Sequence, residues 1–281
     1  MLGLLNKIIT YIFEHHKKWE KDCIMNENIN SENKKRRICL LDELRGLAVI
    51  AMVIYHIFYS MTFLFHMECA YPIMRTVYPY EPVIPIIFIT ICGICCTFSH
   101  NNLKRGLLVF AISAIITLAT AIFIPSQAIW FGILHFLGIA ILIYALAEKT
   151  NILNKIPVNA GLFVSLILYI ICYNIPKGYI GFIPLFKIEL PQELYSFYWL
   201  SFLGFPSADF TSGDYFPIIP NIFLFFFGIF SGKIIDNKKL PEFMYKKLCP
   251  PLDYIGKHAL IIYVVHQPLI IGVLFIISCL K

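Results

Sequence analysis

Arg45 and His56 share one apolar run, Leu40 to His56, that is long enough to enter a bilayer. An ionisable side chain inside such a run is costly and marks a functional site by default. Eleven residues of helix separate the two by roughly 16 Å along the axis, about half of the hydrocarbon thickness. One helix therefore holds a fixed cation toward one membrane face and a titratable base toward the other. That layout suits a reaction whose donor and acceptor come from opposite sides. A guanidinium matches phosphate charge, and an imidazole can take or give a proton near neutral pH.

Other apolar runs carry further polar groups. His135 lies in Trp130-Phe131-Gly132-Ile133-Leu134-His135-Phe136-Leu137-Gly138, Asp214 opens Asp214-Tyr215-Phe216-Pro217, and His266-Gln267 precede Pro268. Depth counted along the spans sets His56, His135 and Asp214 at a similar level, with His266 nearer the middle. Each group has a structural alternative beside the chemical one. An intramembrane histidine can simply bond a neighbouring helix. Asp42 and Arg45 are an i,i+3 pair able to neutralise each other. Asp214 can orient a histidine or cap the helix ahead of Pro217. Gln267-Pro268 marks a kink whose freed carbonyl needs a partner. Gly228 and Gly232 form a small-residue packing face. Cys92, Cys95 and Cys96 have C-x2-C spacing but no second knuckle and no histidine beside them, so they are expected to pack rather than hold a metal.

The elements that position these groups follow from composition. The chain has 281 residues, of which 59% are hydrophobic and 14% charged, with a mean hydropathy of +0.75. A soluble globule could not hide that much apolar surface, so the expected class is an all-α polytopic helical membrane protein. Seven spans are expected, near 38–62, 83–99, 106–124, 128–147, 158–175, 216–232 and 258–280. The piece Tyr195–Phe205 is too short to cross and is expected to be interfacial or re-entrant. Lys and Arg fall mostly into one set of loops: eight before the first span, then Lys104, Arg105, Lys149, Lys155 and the group from Lys233 to Lys257. The other loops hold only Arg75, Lys177 and Lys187, with Lys281 at the end. This bias places the N-terminus in the cytoplasm.

Residues 1–37 read as a cytoplasmic segment with an amphipathic, interfacial helix, and 38–281 as the membrane domain. No cleavable signal peptide is expected. The net charge of +6 reads as topology, and no nucleic-acid partner is expected. No internal repeat supports a secondary transporter.

Asp42-x2-Arg45-Gly46-Leu47-Ala48 followed by His56 resembles the first-helix motif of the transmembrane acyltransferases. With the blocks around His135, from Asp214 to Lys233, and from Leu260 to Pro268, the chain resembles the bacterial branch of the heparan-alpha-glucosaminide N-acetyltransferase catalytic-domain family. The resemblance implies acetyl or acyl transfer from cytoplasmic acetyl-CoA (acyl-CoA), a co-substrate and not a tightly bound cofactor, to a sugar or other small acceptor across the plasma membrane. It implies that His56 is catalytic and that Arg45 lies near the donor. Beside Arg45, the donor's phosphates would meet Asp42-paired charge and the loop cations Lys104, Arg105 or Lys233. His135 or Asp214 would orient His56 or stabilise charge, and His266, Gln267 and Ser60 would line the site. The chain departs from the pattern at Ser60, where an acidic residue is usual, and at Asn221, where tryptophan is. A carrier or flippase using the same buried groups, or a non-catalytic membrane protein of this fold, is the rival reading.

Overall fold

The computed structural model describes residues 37–236 and 240–280. The expected amphipathic helix before residue 37 lies outside them, as do Lys238, Lys239 and Lys281. Helices dominate. They are α1 (Cys39–Tyr59), α2 (Tyr71–Val77), α3 (Val83–Thr97), α4 (Asn102–Phe123), α5 (Ile133–Lys149), α6 (Val158–Cys172), α7 (Ile218–Asp236), α8 (Pro250–Lys257) and α9 (Ala259–Cys279). Every expected span has its helix, but among the described residues five segments are by themselves long and apolar enough to cross a membrane: Cys39–Leu64, Asn102–Phe123, Val158–Lys177, Ile218–Asp236 and Ala259–Cys279. A sixth counts if the bent pair Glu68–Tyr80 and Val83–Thr97 is one span.

Helix α5, at 17 residues, reaches only about 26 Å at the helical rise. It is also the most enclosed element. Phe136 and Ala140 are fully buried, with Ile141, Leu137 and Tyr144 nearly so. Four of these five candidate spans instead show exposed apolar side chains, such as Leu107, Leu118 and Ile122 on α4. That is the surface hydrocarbon would cover.

The chain divides into two compact units: the described residues through Val53 with those from Pro241 onward, and Ile54–Leu240. In the larger unit α3 packs on α7, α4 on α5 and α6 on α7. The α3–α7 crossing is a backbone contact. A Cβ on Gly93 would strike the Phe225 carbonyl, and one on Gly228 the Thr90 carbonyl. Gly232 continues this face against Thr97, so the small residues pack as expected. In the smaller unit the start of α1 meets α8 in the same way. A Cβ on Gly256 would strike the Asp42 carbonyl, and one on Gly46 the Leu252 carbonyl.

The long connection after α6 differs from expectation by containing strand. Tyr179–Phe182 and Phe186–Glu189 pair antiparallel, with Phe182 opposite Phe186. Gly178 and Gly181 take φ of +93° and +116°, a region that favours glycine. Tyr, Ile and Phe at five of the remaining strand positions, Tyr179, Ile180, Phe182, Phe186 and Ile188, suit extended backbone. Tyr195–Phe205 forms no crossing helix but two short 3₁₀ turns, Gln192–Tyr195 and Tyr198–Phe202.

Candidate functional site

Arg45 and His56 lie on one unbroken helix, α1. The end carrying Arg45 is tied down by charge. Asp42 is 5% exposed and accepts from Arg45 Nη1 at 2.9 Å and Arg37 Nε at 2.7 Å. The buried Glu43 carboxylate accepts from the Cys249 backbone N–H at 2.8 Å, ahead of α8. On α8, Asp253 accepts from Lys257 at 2.8 Å and pairs with Lys247 at 3.4 Å. Burial pushes the Asp253 carboxyl up, but Lys257 and Lys247 more than offset that and hold it below the ordinary carboxylate range. Arg45 is thus paired with Asp42 and also partly exposed, its side chain retaining 19% of its accessible surface. A guanidinium with five donors can serve a carboxylate and a phosphate together.

The other end of α1 enters an aromatic cluster. His56 meets the rings of Tyr55 and Tyr59. Ser60, fully buried, begins a π-helical turn, Ser60–Leu64, that extends the helix. Tyr55 lies within electrostatic reach of Glu81 and Tyr78, and Glu81 lies within reach of Asp214. Glu81, in the bend between Tyr80 and Val83, thus lies within electrostatic reach of both Tyr55 and Asp214. The sequence reading missed it because a Tyr-Glu-Pro bend looks like a loop. Its only sequence signal is being an acid at the start of a strongly apolar run.

His135 and Asp214 belong to a local scaffold. The chain from Ala128 to Gly132, which bends at Trp130, is held on both sides. Thr117 and Thr120 of α4 hydrogen-bond the Ile129 carbonyl and N–H. Ser212 accepts from the Trp130 N–H, while the Gly213 and Phe216 N–H groups donate to Ala128 and Phe131. Helix α5 starts immediately afterwards, and Asp214 Oδ2 accepts the Ile133 N–H at 3.1 Å. This satisfies one of the donors that a helix start leaves unpaired. Gly132 makes the approach possible, since a Cβ there would strike Asp214 Oδ2.

His135 Nδ1 accepts the Gly132 N–H at 3.3 Å. A neutral ring then carries its proton on Nε2, which faces Thr117 Oγ1 at 3.0 Å. Thr117 passes its own hydroxyl proton to the Ile129 carbonyl at 2.6 Å. Both nitrogens of His135 are therefore engaged with the scaffold around the start of α5. Asp214 meets that scaffold at the Ile133 N–H and stands in the field of Glu81.

The remaining candidates are placed separately. Lys104 is exposed in the first turn of α4. The Arg105 guanidinium turns inward, to 3.6 Å from Cys92 Sγ and 3.9 Å from Cys96 Sγ. Lys233 donates to the Leu153 carbonyl at 2.9 Å and to Asn154 Oδ1 at 3.2 Å, securing the turn between α5 and α6. Of the three loop cations, Lys104 is the one with its charge turned outward. On α9, His266 Nδ1 donates to the Tyr263 carbonyl at 2.6 Å, and the helix runs on through Pro268. No group of three or more His, Cys, Asp or Glu able to hold a metal occurs among the described residues.

A family model described as heparan-alpha-glucosaminide N-acetyltransferase, catalytic, matches residues 37–268. The chain belongs to that family. The match begins just before Asp42 and ends at Pro268, so it contains Arg45, His56, Glu81, His135, Asp214 and His266. No curated protein and no solved structure matches the chain. Membership together with the apolar helices makes this a membrane protein of an acyltransferase type.

Proposed function

We propose that the protein transfers an acetyl or related acyl group from cytoplasmic acyl-CoA to a sugar or other small acceptor on the outer side of the plasma membrane, through a multi-pass domain. The observation that carries this is the continuity of α1, with Arg45 in its second turn and His56 in its last. Arg45, held by Asp42, meets the donor's phosphates. The pantetheine arm runs along the helix and brings the thioester toward His56, the ring that deprotonates the acceptor or first takes the acyl group itself. In the direct route the acceptor oxygen or nitrogen attacks the thioester carbonyl, its proton passes to His56, and the CoA thiolate leaves. Glu81, within electrostatic reach of Tyr55, supplies negative charge at the His56 end of α1 and favours a protonated His56 after the proton moves. The family's name points to an amino-sugar acceptor.

The test uses radiolabelled acetyl-CoA with the purified protein and a panel of sugar and amino-sugar acceptors. Wild type is expected to transfer label, and His56→Ala to lose transfer while still binding CoA. Equal transfer by His56→Ala would overturn the mechanism. Flux of a glycan through proteoliposomes without CoA consumption would favour the carrier reading instead.

A further inference from the structure

The hairpin Tyr179–Glu189 has no core of its own. All four residues of its second strand are exposed, and in the first only Gly181 is buried. Its tip reads Phe182-Ile183-Pro184-Leu185-Phe186, and its four non-proline side chains are all exposed, Leu185 at 80%. An isolated two-stranded hairpin is marginal in water even with polar faces. One with an apolar tip and apolar residues on both faces needs an apolar surrounding.

Three observations say what that surrounding is. First, the hairpin starts two residues after Lys177, where the candidate span Val158–Lys177 ends, so its base lies at the membrane surface. Second, it turns back beside that span rather than leading away from it. Strand Tyr179–Phe182 packs against α6, and Asn174 Nδ2 donates to the Gly181 carbonyl at 3.1 Å. Helix α6 also carries exposed Phe163, Ile167 and Ile170. Third, the charges withdraw from the tip. Lys187 is one residue from Phe186, yet its ammonium lies over the Tyr179 ring at 5.2 Å and bonds Glu189 at 2.9 Å, both at the base. Lys177 likewise lies over Tyr173 at 5.7 Å. Amphipathic side chains behave this way when the stem is in hydrocarbon and the head reaches for water.

We propose that this hairpin is a membrane anchor whose tip is inserted in the lipid leaflet beside the end of α6. Its depth is bounded. A two-stranded sheet has unpaired backbone on both edges, which hydrocarbon does not tolerate. The strands therefore lie at headgroup depth, and only the side chains of Phe182, Ile183, Leu185 and Phe186 reach the acyl chains. The anchor also steadies the next stretch of chain. Leu190 bonds back to Gly178 and Tyr195 to Ile175, which fixes the start of the connection leading to Asp214.

The test is spin-label accessibility on the full chain in nanodiscs of phosphatidylethanolamine and phosphatidylglycerol, with exposed Cys69 and Cys279 changed to serine. Leu185→Cys and Glu189→Cys are labelled separately, both at exposed positions that leave the packing against α6 untouched. Oxygen collisions are expected to rise, and those with a water-soluble nickel chelate to fall, from position 189 to position 185. A higher nickel rate at 185 would put the tip in water. Low rates for both relaxants would put it against protein, a second copy included. Either result overturns the proposal.

Discussion

His135 shows how a residue that could do chemistry is committed by its neighbours. Its Nδ1 accepts from Gly132 and its Nε2 faces Thr117, so both nitrogens are held by the start of α5 and the end of α4. Thr117→Val keeps the shape and removes the acceptor. The Nε2 proton then loses its partner at a buried position, and the expected loss of stability is about 1–3 kcal/mol, read as a lower melting temperature in detergent. His56 stands among the Tyr55 and Tyr59 rings at the end of α1, with Glu81 within electrostatic reach of Tyr55. His56→Ala is expected to lower acyl transfer by about 10²–10⁴-fold, the usual range for removing a general base, read with radiolabelled acetyl-CoA. Both histidines were visible in the sequence as intramembrane ionisable groups. Which one is locked into the start of a helix depends on Thr117 and Gly132, contacts that periodicity does not encode.

At the scale of elements, α1 and α8 are joined where Gly46 and Gly256 let backbones touch and Asp253 gathers two lysines. The folded-state pKa of Asp253 is depressed. Its contribution to stability is therefore full above the unfolded carboxyl pKa, about 4, and is lost as pH falls through the lower folded value. Asp253→Asn removes the charge and keeps the size. The melting-temperature gap between wild type and this variant is expected to be widest near neutral pH and to close as pH falls below about 4. A gap that stays constant would assign the effect to shape. The helices themselves were legible, because apolar runs of this length have few alternatives. The hairpin after α6 was not. Four-residue strands between glycines carry too little periodicity to stand out in an apolar chain.

For the whole molecule, the lysine and arginine bias predicts which loops face the cytoplasm, and the prediction is open to labelling. Lys155→Cys and Gln192→Cys occupy exposed positions on either side of α6. With Cys69 and Cys279 changed to serine, a membrane-impermeant maleimide on intact cells is expected to label position 192. Position 155 is expected to react only after permeabilisation. The reverse pattern would invert the topology and place Arg45 on the outer side, which no cytoplasmic acyl-CoA could reach. The short α5 and the bent α2–α3 pair leave five segments, or six, able to cross unaided. The length of an enclosed helix is set by its protein neighbours rather than by the bilayer.

The sequence by itself determined that this is a helical membrane protein, where its long helices lie, and which ionisable residues fall inside them. Those properties follow from local composition, since transfer free energy sums along a run of residues. The tertiary structure decided which charges are engaged. It turned Arg105 toward sulfur and Lys233 toward a loop carbonyl, set Asp214 at the start of α5, and brought Glu81 into the field of Tyr55 and Asp214. Most of these link residues far apart in the chain, and only packing fixes the distances on which hydrogen bonds and Coulomb energies depend.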